Sequence, residues 1–408
     1  MRNIVPKLMI SCGLLLLSAL ITEGVACTSA IITGKVTPDG RPLLWKHRDT
    51  GQEQNRMAWF SGPVYKFLAL VDSPFKDPEA WTGSNEMGFS IMNTASYNIK
   101  DDDIKQMDME GEFMFKALGL CKNLADFEHF LDTLSRPMRV EANFGVIDAE
   151  GGAAYYEVNN HSYKKLDVND PMVAPLGYLV VTNFSYTGRF NEGMGYIRQQ
   201  TAWELFARVA PSHGLTPLWI MQEASRSFYH SLLGVDLRKP ADNPNAAGGW
   251  FIDQDFIPRK SSSASIVIQG VMPGEDPKMT IMWTVLGYPP GSVMLPLWPA
   301  AGKDQPALLL QAADSENAQL CMWAVALKQK TFSIERGNGN KYFHWALMHN
   351  EEGSGYMQTL MPLEAAIYAK FQPKIALWRT QGIDFKDLQK TYSEVSESIK
   401  AVYNKLLP

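Results

Sequence analysis

The sequence predicts a layered α+β protein in which two antiparallel sheets are covered by helices. Segments at 28–48 and 143–158 each fold back through turn residues, Thr37-Pro38-Asp39-Gly40 and Ala149-Glu150-Gly151-Gly152, as hairpins do. Two helices at 112–123 and 124–134 end ahead of Pro137 and separate those hairpins. Strands therefore come in groups divided by helix pairs, not in strict strand-helix-strand units, and that order favours antiparallel sheets.

Taken in order, residues 28–36 read as a buried strand and 42–48 as its returning partner. The hairpin ends in Lys46-His47-Arg48-Asp49, four polar residues placed to fold back toward Cys27. The apolar stretch 59–71, interrupted by Gly62-Pro63, supplies one or two strands. Asn85-Glu86-Met87-Gly88 turns into a strand at 89–94, whose apolar pattern Asn93 breaks. Asp101-Asp102-Asp103 reads as a solvated loop without the ligand spacing of a calcium loop. Strands at 162–168 and 178–184 follow the second hairpin. A helix pair at 195–209 and 218–233 is broken by Pro211 and Pro217. Residues 236–249, dense in Pro, Asn, Ala and Gly, form a long loop. Strands at 266–271 and 279–286 complete a core of about 27–310. The remaining part, 311–408, is helical: 315–328, 356–379 with a break at Pro373, and 384–407.

Residues 1–26 read as a secretory signal, with Arg2 and Lys7 ahead of an apolar run at 8–20 and small Gly24 and Ala26 at the cut. The run is short for a membrane span, and no later stretch offers about 18 apolar residues. The expected product is exported, periplasmic or secreted. Losing Arg2, Lys7 and Glu23 takes the formal charge from −5 to −6 with no basic block, which excludes nucleic acid as a partner. The 46% hydrophobic content supports a sizeable core. Cys12 leaves with the leader. Cys121 and Cys321 lie in apolar helical stretches and read as core, with a bond between them left open. Three cysteines are too few for a disulfide framework in an exported chain of this size. Histidines 129, 161, 213, 230, 344 and 349 show no metal spacing, so neither metal nor cofactor is expected.

Cleavage after Ala26 makes Cys27 residue one. It then carries a thiol with an ordinary pKa near ~8.5 and an α-amine near ~7.7. The amine can take the thiol's proton, so the nucleophile brings its own general base. The competing use of such a cysteine is lipid attachment, but Gly24 stands where a lipobox usually has Leu. His47, between two charged residues, reads as an exposed or strand-end residue. Asp49 serves either chemistry or a simple pair with Lys46 or Arg48. Trp283, Tyr288 and Trp298 read as core ahead of an acyl pocket.

The segment Cys27-Thr28-Ser29, then Asp39-Gly40, then Leu43 to Asp49 resembles the opening of linear-amide N-terminal-nucleophile hydrolases. These include choloylglycine hydrolases, penicillin V acylases and acyl-CoA:6-aminopenicillanic acid acyltransferases, with cysteine dipeptidases as near relatives. Ser84 to Asn93, Asn143 to Glu157 and Val181-Thr182-Asn183-Phe184 resemble further motifs in family order. The resemblance covers roughly 27–270 and implies an αββα four-layer sandwich with the nucleophile at the end of a central strand. It implies Cys27 as nucleophile, Asp49 as holder of its amine, Asn183 as oxyanion donor and Asn93 as a second donor or substrate positioner. Lys46 stands where bile-salt enzymes have arginine beside the thiol, with Arg48 two positions on. A second family arginine is replaced by Ser265, and Arg259 is the nearest substitute. These departures point to the broader acyltransferase-like branch. The implied partner is a small-molecule amide, and a homo-oligomer is compatible with everything above.

Overall fold

A computed structural model describes residues 26–105 and 107–408; the signal reading on 1–25 lies outside the described residues. Strands β1 (Thr28–Ile32) and β2 (Leu43–Asp49) form the opening hairpin. The expected strand at 28–36 stops at Ile32, and a 3₁₀ turn, Gly34–Val36, takes its end. A seven-stranded sheet then runs in sequence order through β3 (Asn55–Ser61), β4 (Lys66–Asp72), β5 (Thr82–Asn85), β6 (Ser90–Ala95), β7 (Ala142–Ile147), β8 (Ala153–Val158) and β9 (Tyr163–Asp167). β10 (Tyr178–Val181) returns to pair with β1.

Two short ribbons follow: β11 (Tyr229–His230) with β12 (Val235–Asp236), and β13 (Trp250–Ile252) with a strand far along the chain. β14 (Ser262–Gln269), β15 (Ile281–Leu286) and β16 (Leu295–Leu297) complete a six-stranded sheet in the order β10-β1-β2-β14-β15-β16. The partner of β13 is β17 (Tyr342–His344). Every pairing is antiparallel.

Helices α1 (Glu110–Leu120) and α2 (Leu124–Thr133) cover the outer face of the seven-stranded sheet, where Phe113, Met114 and Leu131 meet Phe67, Ile91 and Phe144. On the outer face of the other sheet lie α3 (Tyr196–Val209) and the helices Gln319–Thr331 and Tyr356–Gln381. The sheets face each other between these layers, bridged by Ser29 Oγ and Tyr155 OH at 3.0 Å. The result is the four-layer αββα sandwich. Period-two alternation is hidden in β1 and β2 because both of their faces are buried.

Two helical expectations change. Residues 218–233 are helical only to Ala224, because Arg226 turns inward to Glu364, Pro289 O and Ser292 O and the chain then forms the β11–β12 ribbon. The expected break at Pro373 is absent: Tyr356–Gln381 is continuous through Pro362 and Pro373. A proline inside a helix costs about 3 kcal/mol, and burial of Leu360, Ile367, Phe371, Ile375 and Trp378 along the same helix offsets that. Cys121 and Cys321 are free and buried. Trp283, Tyr288 and Trp298 are wholly buried core residues. No helix among the described residues is long and apolar enough to cross a membrane.

Candidate active site

Cys27 immediately precedes β1 and is buried. Its strand lies between β2 and β10, and both neighbours carry polar residues to the same level. Thr28 is opposite His47 and Ser29 is opposite Lys46, so alternation along β2 divides Lys46-His47-Arg48-Asp49 between two faces. Lys46 and Arg48 turn toward the seven-stranded sheet; His47 and Asp49 turn toward the helical layer. On the other side Ser29 pairs with Val181, and continuing that register brings Asn183 level with Cys27.

On the inter-sheet face, Lys46 Nζ donates to Trp81 O at 2.7 Å and to Asn93 Oδ1. This fixes the Asn93 amide with its Nδ2 group as the part that can donate. Burial pulls Lys46 down to about 8, and the charge of nearby Cys27 opposes that fall. Arg48 is engaged elsewhere: its Nη1 meets Asp72 Oδ1 at 2.6 Å and its guanidinium lies 4.6 Å from the Trp81 ring centre. Tyr97 donates its backbone N–H to Asn183 O at 3.4 Å. Burial and the charge of Cys27 push its phenol up to about 12.

On the helical face, Asp49 is wholly buried and accepts Ser262 Oγ at 2.6 Å and Arg259 Nη2. The same Arg259 nitrogen donates to Ala26 O at 2.9 Å. The Asp49–Arg259 pair therefore lies against the Ala26–Cys27 peptide bond, and Asp49 pairs with neither Lys46 nor Arg48. Burial acts to lower Arg259, and the Asp49 carboxylate overrides it, so the guanidinium is held above its ordinary range. Ser265, where the family arginine is expected, instead accepts Trp45 Nε1 at 3.0 Å.

His47 corrects the sequence reading. It is wholly buried, because β2 sits centrally in its sheet with a helical layer over this face. Ser262 donates to Asp49, so His47 Nε2 donates to Ser262 Oγ at 2.9 Å and Nδ1 accepts from Ser225 Oγ at 3.2 Å. Burial pulls the imidazole down to about 4, so it is neutral at pH 7 and serves as a spacer holding Ser262 on Asp49.

Arg198, absent from the sequence reading, ties the site together. Its Nη1 donates to Cys27 O at 2.7 Å and to Thr28 Oγ1 at 2.8 Å, and its Nη2 to Asn183 Oδ1 at 2.9 Å. Asn183 Nδ2 in turn donates to Ala95 O at 3.0 Å. A signal was available. The buried stripe of α3 is Arg198, Thr201, Ala202, Leu205 and Phe206, and an arginine on an apolar stripe marks a buried partner. Asn143, within one of the motifs, supports the same corner by donating to Thr94 Oγ1 and Phe184 O, both at 3.1 Å.

The buried cysteine thus stands at the head of a central strand in a four-layer αββα architecture. Solved structures to which it is similar include a Caenorhabditis elegans N-acylethanolamine-hydrolyzing acid amidase ortholog, at 15% identity and TM-score 0.35, covering 59% of this chain and 92% of the other. A conjugated bile acid hydrolase from Clostridium perfringens is similar at 11% identity and TM-score 0.37, covering 67% and 92%. Penicillin V acylase from Agrobacterium tumefaciens is similar at 12% identity and TM-score 0.35, covering 67% and 85%. No protein-family model and no curated protein sequence matches the chain.

Away from this centre, Asp101, Asp102 and His161 converge. Their oxygens are occupied by the Asn159 and Asn160 amides, and Asp102 meets His161 at 2.9 Å.

Proposed function

We propose that this chain is an exported cysteine N-terminal-nucleophile amidase that hydrolyses a linear, non-peptide amide through an acyl-thioester on Cys27. The observation that carries the proposal is the delivery of Lys46, Asp49 and Asn183 by the two neighbours of β1 to the level of Cys27, with Arg259 bridging Asp49 and the Ala26 carbonyl.

Removal of the leader before Cys27 turns its peptide nitrogen into an α-amine. Asp49, held by Ser262 and Arg259, accepts a hydrogen bond from that amine and orients it. The amine takes the thiol proton, and the Lys46 ammonium favours the thiolate that results. Sulfur attacks the amide carbonyl carbon, and the oxygen of the tetrahedral adduct is met by Asn183 Nδ2 and by Asn93 Nδ2. As the carbon–nitrogen bond breaks, the amine's extra proton passes to the leaving nitrogen. Water then attacks the thioester with the amine again as base, releasing the acid and the free thiol. An amine in place of water gives acyl transfer by the same steps. Arg198 acts through Asn183 and the Cys27 carbonyl and is a positioning residue.

Intact mass and N-terminal sequencing of the exported protein, before and after a thiol-directed acylating probe, test this directly. The expected result is a free Cys27 start that takes up one probe, with uptake lost in Cys27→Ser. A blocked or lipidated Cys27, or a start elsewhere, overturns the proposal, since the catalytic base is then missing.

A further inference from the structure

The loop at 236–249 and the segment 344–352 face each other across a hollow of about 720 Å³, within the range of small-molecule sites, about 300–1,000 Å³. None of Cys27, Lys46, Asp49, Asn93 and Asn183 lines it. Its walls are fixed to each other. Gly249 N–H donates to Pro244 O at 2.9 Å, and Trp345 N–H donates to Gly249 O at 2.6 Å. Asn245 Nδ2 donates to His349 O at 3.1 Å. The ring of His349 stacks on Trp345 with centres 5.7 Å apart, and the ring of His344 stacks on Trp250 at 4.8 Å. The hollow is therefore pre-formed.

Hydrogen bonding in these walls is incomplete. With Asn245 Nδ2 committed to His349 O, the Asn245 Oδ1 acceptor is shielded and has no partner, and neither has His349 Nδ1. Shielded polar atoms are paired in the great majority of cases, so two in the walls of one hollow call for an explanation. The backbone at Gly249 leaves a gap beside one of them. A Cβ there would stand 3.1 Å from His344 Nε2 and 3.3 Å from Asn245 Oδ1, and φ is +78°, so conformation and close approach both reserve the position for glycine. Arg238, also in the wall, is engaged with Glu223 at 3.0 Å and Asp236 at 3.8 Å. Burial and the charge of Arg238 hold the His349 imidazole below its ordinary value, so it is neutral at pH 7. Exposed Glu351 and Glu352 stand at the rim.

We propose that this hollow binds a neutral, hydroxyl-rich small molecule of one or two sugar rings, held by Asn245, His344 and His349. An anion brings no proton to Asn245 Oδ1 and meets two carboxylates at the rim. A metal ion needs ligands that converge, and among the described residues the three-ligand convergence lies elsewhere, at Asp101, Asp102 and His161. Hydroxyls meet every requirement of the wall: they donate to the amide oxygen and the carboxylates, and they donate or accept at imidazole nitrogens. The stacked rings of Trp250 and His344 add an apolar surface for the C–H groups of a sugar. The inference is independent of the amidase reading.

The test is saturation-transfer NMR, followed by titration, of glucose, galactose, mannose and N-acetylglucosamine against the exported protein, with spermidine and zinc chloride as cationic probes. At least one sugar is expected to bind. His344→Phe and His349→Phe keep the ring stacks on Trp250 and Trp345 and remove the nitrogens. Each should weaken binding of that sugar by about fivefold or more, the scale of one hydrogen bond lost, and thermal melts check that both variants fold. Cys27→Ser should bind the sugar with unchanged affinity. Absence of sugar binding, or sugar binding that neither histidine variant weakens, overturns the proposal. Binding lost in Cys27→Ser also overturns it, by placing the sugar at the reaction centre. A response to spermidine or zinc with none to any sugar assigns the hollow to a cation and overturns it as well.

Discussion

Arg198 Nη2 donates to Asn183 Oδ1 at 2.9 Å while Nη1 of the same guanidinium donates to the Cys27 carbonyl at 2.7 Å. One planar fork thus fixes the nucleophile's strand and the proposed oxyanion donor relative to each other. A lysine cannot span both acceptors in that geometry. Arg198→Lys should lower kcat by about 10²-fold, the scale of a misplaced oxyanion donor, with KM little changed. Steady-state kinetics on a turned-over amide checks this, and a fall in KM-dependent binding alone would show that Arg198 does not position Asn183.

His47 makes stability depend on pH. The unfolded chain takes up a proton near the ordinary 6.5, whereas the folded chain, with His47 buried, does so only at about 4. The unfolded state therefore binds more protons between those values. The contribution of His47 is full above pH 6.5, declines as pH falls toward 4, and then levels. Its size is on the order of 3 kcal/mol. Urea midpoints between pH 7 and pH 5 should fall more steeply for the natural protein than for His47→Asn, which is less stable overall. Parallel lines would remove His47 from the account.

Lys46 sets the alkaline limit of activity in the proposed mechanism. The α-amine must be neutral to act as base, which gives an acid limb, and Lys46 must be charged beside the thiolate. With Lys46 pulled down to about 8 by burial, kcat/KM should fall as pH rises through that value. In Lys46→Arg the guanidinium stays charged, and the alkaline limb should move up by more than one unit even if the maximum is lower. An unmoved limb would assign it to another group.

How much of this was legible in the sequence depends on how local the cause is. The β1–β2 hairpin, the α1–α2 pair and the 142–158 hairpin follow from turn residues and apolar periodicity within a few residues. Cys27, Asp49 and Asn183 can be singled out as candidates because each lies in a short motif at a strand end. β5 is not legible, since in Thr82-Gly83-Ser84-Asn85 only Thr82 favours a strand and the segment is held by β4 and β6 on either side. His47 and Arg198 fail for a related reason: their burial is decided by segments around residues 225 and 262 for one and residues 27 and 183 for the other. Arg48 is the converse, a charged residue adjacent to the site whose partner, Asp72, comes from β4.

Labelling should discriminate the three cysteines of the processed chain. Burial pushes the thiols of Cys121 and Cys321 up to about 12; all three cysteines are buried, so thiolate character and not exposure is what separates them. Thiolate is the reactive form, so iodoacetamide at pH 8 should add one group to the folded protein, at Cys27, and three in denaturant. Intact mass reads the count. Two or three additions without denaturant would show that the helical layers open readily.

The last prediction concerns how the C-terminal helices hold the six-stranded sheet. Arg226 and Glu364 form a buried pair, with contacts of 2.8 and 2.6 Å, and Met294 N–H donates to the same carboxylate at 2.7 Å. The pair ties the segment after α3 to the helix Tyr356–Gln381 and, through Met294, to the approach to β16. Removing one partner of a buried pair leaves an uncompensated charge and costs about 3–5 kcal/mol. Glu364→Gln should lower the denaturant midpoint accordingly, while activity per folded molecule is retained because neither residue touches Cys27, Asp49 or Asn183. Glu364→Gln with Arg226→Met removes both charges and should recover part of the loss. If the double variant is no more stable than the single, the bond geometry at Pro289, Ser292 and Met294, and not the charge pair, holds the helix in place.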